Sequence, residues 1–386
     1  MAHWERVTVA PSFTGVTSAE RRGGSYQRYH PDPMARAGEV LTLEALEYVY
    51  DVHAALRALG ERLRARPLPL LYATLVRSEA ISSSWIEGER ETPRNIMAAR
   101  LGDDQVSPPA REVARNVEIM RTAVGGTLGR AWSHDDLWDV HHALVPRLDR
   151  GYRTGQVWIG GRSPLSAQYA APPAASVLAS MDDLLRYANT SGDNPLALGA
   201  LVHAQFETVH PFPDGNGRVG RALFHAALSR AHVVTGGVLP LSVALKDDVP
   251  GYVQALTAYR HDGDDPDVRR AAVSRFALRF VEYVERSIVL TEQFADDVER
   301  IESRWRDALS GRRSDSSVHR AAFAVLVEQP VVTAAYLQEQ LGVTKMAAHT
   351  TLDALLQAEI VRPAGGKLKR SNLYQATEIL DLLEPR

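Results

Sequence analysis

Residues 210–221 read His210-Pro211-Phe212-Pro213-Asp214-Gly215-Asn216-Gly217-Arg218-Val219-Gly220-Arg221. An apolar helical pattern over Pro195–His210 precedes the stretch, and another starts near Asn216 and runs through Leu228. The glycines therefore join two helices. Gly215 and Gly217, on either side of Asn216, let the backbone turn tightly and aim several N–H groups into one concavity, to which the next helix adds its dipole. That is an anion site suited to phosphate. Arg218 and Arg221 lie one helical turn apart, so both guanidinium groups can face the same anion. The loop alone holds one phosphate; two added arginines imply a di- or triphosphate. Asp214 adjoins the loop and is placed to share Mg2+ with phosphate oxygens, since nucleotide-bound magnesium takes one or two carboxylates. His210 closes the preceding helix, where a neutral imidazole can take a proton from an incoming hydroxyl. The set suits in-line attack of a hydroxyl on a phosphoryl centre. No Gly-Lys-Ser/Thr follows, so this is not a P-loop, and the dinucleotide fingerprint is absent.

Outward from this stretch the periodicity is helical. Leu41, Ala45, Tyr48, Val52, Leu56 and Leu59 recur at steps of three and four, with Gly60 as the expected stop. Further helices are expected near Leu68–Ile81, after Pro109, over Asp135–Leu144 with Ser133 as N-cap, and over Ala174–Tyr187, Gly251–Tyr259 and Arg269–Leu309. Gly151–Pro173 breaks the pattern: Gln156-Val157-Trp158-Ile159-Gly160 is β-like and Pro164 and Pro172-Pro173 follow, as in a short hairpin or flap. Residues 1–38 hold many Pro, Gly and Arg and read as an extended arm or loose cap. Ser310–Ser317 is polar and reads as a linker. Beyond it, helices over Val318–Val327, Ala334–Leu341 and Lys345–Gln357, then strands flanking Gly365-Gly366, spell a helix-turn-helix with a wing. The expected fold class is all-α with a short β-hairpin flap and a small C-terminal winged helix-turn-helix. The segments are 1–110, an N-terminal arm and helical region; 111–309, a core; 310–317, the linker; and 318–386, the winged helix.

The 386 residues suit two or three domains. A formal charge of -3 gives no global pull toward nucleic acid or anionic membrane. The chain has no cysteine, which excludes disulfides, iron–sulfur clusters and thiolate zinc sites and suits a reducing cytoplasm. The N-terminus lacks a signal-peptide pattern, and no run approaches the roughly 18 apolar residues of a membrane span. A cytoplasmic location without membrane attachment is expected.

His210–Arg221 resembles the Fic motif, His-Pro-Phe-x-Asp/Glu-Gly-Asn-Gly-Arg-x-x-Arg, at every specified position. The resemblance spans roughly residues 40–290, and Gly155–Pro173 is similar to the family's flap. It implies a mostly helical protein adenylyltransferase that moves AMP from ATP to a hydroxyl of a target protein, or of itself. His210 would be the base and Asp214 the magnesium ligand. Gly215, Asn216 and Gly217 would hold the α- and β-phosphates, and Arg218 and Arg221 the remaining charge. Val157, Trp158, Ile159 and Gly160 would dock the target as an added strand. Gly217 stands where the phosphorylating branch carries lysine, which disfavours kinase activity. Many relatives self-associate, so a homodimer stays open.

Ser83-Ser84-Trp85-Ile86-Glu87-Gly88 resembles the family's inhibitory motif, Ser/Thr-x-x-x-Glu-Gly/Asn. By that resemblance Glu87 pairs with Arg221 in place of the γ-phosphate, and Ser83 anchors the inhibitory helix. The same carboxylate could instead support AMP removal. His203, Glu207 and His210 share a helical face, but the spacing is not that of a His-Glu-x-x-His zinc site and a buried polar face is expected. His141-His142 reads as helix packing. Tyr252 and Tyr259 either border the adenine or pack in the core. In the winged helix, Lys345 and His349 on the second helix and Lys367, Lys369 and Arg370 on the wing are candidate DNA contacts. Residues 318–386 hold seven basic and seven acidic residues, so DNA contact and protein docking stay equally open. A second class of function follows: a transcriptional regulator whose Fic domain senses nucleotide.

Overall fold

The structure, a computed structural model, describes residues 1–12, 18–65, 69–102, 106–122, 124, 130–233, 238–310, 317–368 and 371–384. In chain order the N-terminal part runs β1 (His3–Val9), α1 (Ser18–Arg22), β2 (Gly24–His30), α2 (Ala37–Val40), α3 (Leu43–Ala65), α4 (Pro69–Ile86), α5 (Pro93–Arg100) and α6 (Pro108–Thr122). The central part follows with α7 (His134–Leu144), β3 (Trp158–Ile159), β4 (Tyr169–Ala170), α8 (Ala174–Thr190), α9 (Pro195–Val209) and α10 (Asn216–Arg230). Then come α11 (Leu241–Lys246), α12 (Val249–Tyr259) and α13 (Pro266–Leu309). The C-terminal part is α14 (Ser317–Glu328), β5 (Val331–Val332), α15 (Ala334–Leu341), α16 (Lys345–Gln357), β6 (Arg362–Leu368), β7 (Ser371–Gln375) and α17 (Thr377–Leu383). The protein is mostly helical with small sheets. Among the described residues, no helix is long and apolar enough to cross a membrane.

Two compact units emerge, each from discontinuous segments. The first holds Met1–Ala58, Thr122–Gly237 and Asp247–Glu285. Its centre is the antiparallel pair α9 and α10. Every residue of α9 from Leu196 to Val209 is buried, as its continuous apolar run requires. The pair packs tightly because Gly199 faces Phe224, and a Cβ on Gly220 would meet Glu207 Oε1 at 2.5 Å. Ser133 caps α7 in a capping box with Asp136, as its position before the apolar period predicts. The arm expected over residues 1–38 is instead a hairpin: β1 pairs antiparallel with β2 from His3↔His30 to Val9↔Gly24. Each face of β1 mixes polar or charged residues with apolar ones, Trp4 with Arg6 and Thr8 on one and Glu5 with Val7 and Val9 on the other, so the apolar period is too weak to mark a strand. Ala2 and Tyr29 pack with Tyr169 and Ala171, and Trp4 and Val157 border that cluster, so the hairpin backs the flap.

The second unit holds Leu59–Arg121, Val238–Lys246 and Arg286–Arg386. α3 does not stop at Gly60; it runs on to Ala65, and Leu63 packs beside Leu71 and Leu75. Ile81, Ile96 and Met97 share a core with Val331, Leu373, Leu380 and Leu383, joining α4 and α5 to the C-terminal elements. Buried Arg77 on α4 donates to the Val327 carbonyl at 2.5 Å and pairs with Glu328 at 2.7 Å. Arg94 donates to the Ala364 and Gly365 carbonyls. Strands β5, β7 and β6 form one sheet in that order. Of the expected linker 310–317, residues 311–316 lie outside the described residues.

Candidate active site

α9 ends at His210, whose backbone is left-handed at φ 50° and ψ 61°. A non-glycine residue seldom adopts that conformation, and it turns the chain sharply out of the helix. The His210 N–H still bonds the Phe206 carbonyl at 2.8 Å. Its Nδ1 faces the Glu207 carbonyl at 3.3 Å and the Glu207 carboxylate at 3.8 Å. A carbonyl only accepts, so Nδ1 is the donor in that contact, and in the neutral imidazole this leaves on Nε2 the lone pair a general base needs.

Between His210 and α10 the loop is braced from within. Asn216 Oδ1 accepts from Phe212 N at 2.9 Å and Asn216 Nδ2 donates to Phe212 O at 2.8 Å. The Asn216 side chain is thus committed to shaping the loop. Gly215, at φ +79°, is the N-cap of α10, and a Cβ there would press on Val145 and Leu144. His141 supports the loop from α7: it stacks on Phe212 with ring centroids 3.8 Å apart, and its Nε2 bonds the Asp214 carbonyl at 3.0 Å. Burial holds the His141 pKa below its ordinary value, so it is a neutral donor to that carbonyl. The helix-packing reading of His141 was thus incomplete.

Arg218 and Arg221 are almost wholly buried, at 2% and 0% exposure. Arg218 lies 3.6 Å from Asp214 Oδ1 and reaches Gly215. Arg221 lies close enough to His203 for its charge, after burial itself, to help push that imidazole down to about 3. Two guanidinium groups beside a helix N-terminus are the donors that an anion at this loop would use. Asp214 is 42% exposed and also pairs with Arg147, which the sequence reading passed over. A single carboxylate that reaches solvent fits magnesium completed by phosphate oxygens and water, rather than a protein cage. Among the described residues no group of three or more acidic or histidine side chains could hold a metal.

His203 bonds Tyr252 through Nε2 at 2.8 Å, and Tyr259 donates to Gln205 at 2.9 Å. Both tyrosine hydroxyls are therefore committed to α9, which favours the core reading.

The flap is a short antiparallel pair, Trp158↔Ala170 and Ile159↔Tyr169. Gly160 and Gly161 turn in the left-handed region, and a Cβ on Gly161 would collide with Ser166. Trp158 and Ile159 are exposed, whereas Tyr169 is buried and donates to the Thr208 carbonyl at 2.5 Å. The flap is thereby tied to α9 beside His210.

In the second unit, α4 ends in a Schellman turn. Glu89 N bonds Ser84 O at 3.0 Å, Gly88 N bonds Trp85 O at 3.0 Å, and Gly88 takes φ +88°. Glu87 is the capping residue, exposed at the helix's negative end. A carboxylate there opposes the helix dipole, so helix stability does not account for it. Ser83 is fully buried, and its neighbour Ser84 accepts from Asn116 at 3.1 Å. Lys345 and His349 are exposed on α16. Lys367 lies in β6 opposite Asn372, while Lys369 and Arg370 lie outside the described residues.

A helix–loop–helix, α9 to α10, with a terminal histidine, two buried arginines and an adjoining β flap makes up the candidate site. Residues 131–228 match the Fic/DOC family and residues 46–125 match the Fic/DOC family N-terminal region. These stretches belong to the Fic/DOC family. Protein adenylyltransferase fic-1 of Caenorhabditis briggsae is 32% identical over 103 residues, covering 26% of this chain and 20% of that one. A probable protein adenylyltransferase of Aquifex aeolicus is 34% identical over 153 residues, covering 39% and 44%. The chain thus spans less than half the length of these curated relatives. A Fic family protein from Desulfovibrio desulfuricans G20 has a similar fold, with a TM-score of 0.55 at 19% identity over 90% of this chain and 98% of that one.

Proposed function

We propose that this chain is a protein adenylyltransferase. An acceptor hydroxyl attacks the α-phosphorus of ATP, the bond to the bridging oxygen breaks, and pyrophosphate leaves. His210 Nε2 takes the hydroxyl proton. Amides of the 215–217 loop and the Arg218 and Arg221 guanidinium groups stabilise the charge that develops on the phosphates. Magnesium held by Asp214 would neutralise pyrophosphate as it departs. Trp158 and Ile159 offer an exposed apolar strand to the target. The observation that carries this reading is the approach of His210 Nδ1 to the Glu207 carbonyl at 3.3 Å beside a loop flanked by two buried arginines. Incubation with ATP labelled at the α-phosphate tests it. Label should enter the wild-type or Glu87→Gly protein and not the His210→Ala variant; transfer that survives loss of His210 rules the mechanism out.

The proposal includes Glu87 as an internal brake, supported by its fixed place in the Schellman turn of a Fic N-terminal match. A second reading, DNA contact, draws support from Lys345 and His349 exposed on α16, after the turn at Gly342. Gel retardation by the full chain, lost in Lys345→Glu/His349→Glu, would favour it.

A further inference from the structure

Arg153 stands between the flap and the catalytic loop and belongs to no motif that the sequence brought out. Its side chain is buried, yet it meets four backbone carbonyls. Nε donates to His210 O at 2.8 Å, and one terminal nitrogen to Gly155 O at 2.9 Å. The other donates to Pro172 O at 2.6 Å and to Val209 O at 3.2 Å. The Arg153 backbone N–H bonds Pro211 O at 2.9 Å.

Three segments converge on this one planar group. Val209 and His210 present the carbonyls that α9 leaves unsatisfied at its end, where a cation also meets the favourable pole of the helix dipole. Gly155 opens the flap and Pro172 closes it. A buried guanidinium is costly unless its donors are used, and here four carbonyls are arranged to use them. Burial lowers the Arg153 pKa only to about 10, so the cation persists at neutral pH. Joining two loop ends would need no charge. Holding both loop ends and the His210 carbonyl in one plane needs the fork of an arginine; the ammonium of lysine is a point donor.

We propose that Arg153 is the positioning residue that sets the distance between the docking flap and the His210 ring, and so directs adenylyl transfer to a protein hydroxyl rather than to water. Arg153 acts through backbone and does not touch substrate. This rests on the adenylyltransferase reading. With the flap displaced, water remains an acceptor: its oxygen attacks the α-phosphorus, pyrophosphate leaves, and AMP is released in place of labelled protein.

The test uses full-length Arg153→Lys and Arg153→Met in the wild-type and Glu87→Gly backgrounds. Two quantities are read: adenylylated protein formed per AMP released, and hydrogen exchange at the Gln168 and Ala171 amides that close the flap. The expected result is a fall of about tenfold or more in the partition ratio with faster flap exchange. A ratio within about twofold of the parent, or an equal loss of both products, overturns the proposal, because a positioning defect falls on the docked hydroxyl alone. If Arg153→Met does not fold, Arg153→Lys decides by the same two readings. If the parents form neither product, the adenylyltransferase reading fails, and unchanged exchange in the variants separately overturns the clamp.

Discussion

Gly88 sits where the chain leaves α4, and its substitution offers a graded way to disturb Glu87 without touching the carboxylate. At φ +88° the residue is in the left-handed region, yet a Cβ there would meet nothing within 4 Å. The cost of Gly88→Ala is therefore backbone cost, about 1–2 kcal/mol for an L-residue in that conformation. Against competing turns this lowers the population of the Schellman geometry by roughly 5–30-fold. Asn tolerates the region and should cost least; Val, branched at Cβ, should cost most. If the turn holds Glu87 in an inhibitory position, self-labelling by α-labelled ATP should rise in the order wild type, Gly88→Asn, Gly88→Ala, Gly88→Val, with Glu87→Gly as the ceiling. Melting temperature should fall by a few degrees at most, since the strain is confined to one exposed turn that can relax to a competing geometry. Labelling of Gly88→Ala and Gly88→Val at the wild-type level, with Glu87→Gly raised, would refute the positional role of the turn. Equal labelling in wild type and Glu87→Gly would remove the brake altogether.

Other consequences concern the first unit. Asn216→Ala leaves the buried Phe212 N–H and carbonyl without their partners; at about 1–3 kcal/mol for each group, urea unfolding should show a clear loss of stability. Gly220→Ala forces a methyl against Glu207 and should destabilise by about 1–3 kcal/mol, read as a drop in melting temperature. His203 is buried neutral, with its pKa lowered from 6.5 to about 3. Between those values the unfolded chain binds a proton that the native state does not, so stability falls as pH falls, by up to about 1.4 kcal/mol per unit from this group. A pH series of urea midpoints should show a shallower acid slope in His203→Gln. Asp214→Asn should raise the magnesium concentration needed for half-maximal labelling; an unchanged requirement would remove Asp214 from the metal site.

The helix–loop–helix at 210–221 was legible in sequence because its glycines, arginines and terminal histidine are contiguous and each has a local backbone reason. The flap was legible for the same reason, through Gly160 and the prolines that bound it. Long-range supports were not. Arg153 meets carbonyls on three separate segments, and a lone arginine after Gly151-Tyr152 carries no periodic signal. His141 and Arg147 reach Asp214 only once α7 packs on the loop. The β1–β2 hairpin escaped because both faces of its strands mix polar or charged residues with apolar ones, and Tyr29 is buried only through its cluster with Tyr169. Gly60 misled because the helix runs through it to Ala65 despite the roughly 1 kcal/mol that a glycine costs in a helix interior. Asn216 also bonds the Phe212 backbone twice, a bracing role that residue type alone does not show.

Intact-mass measurement of the wild-type, Glu87→Gly and His210→Ala chains after incubation with ATP and magnesium bears most directly on the chemistry. An adenylyltransferase with His210 as base gains the mass of one AMP group in Glu87→Gly, less in wild type, and none in His210→Ala. Gain of a phosphoryl mass, or an AMP gain that persists in His210→Ala, would contradict it.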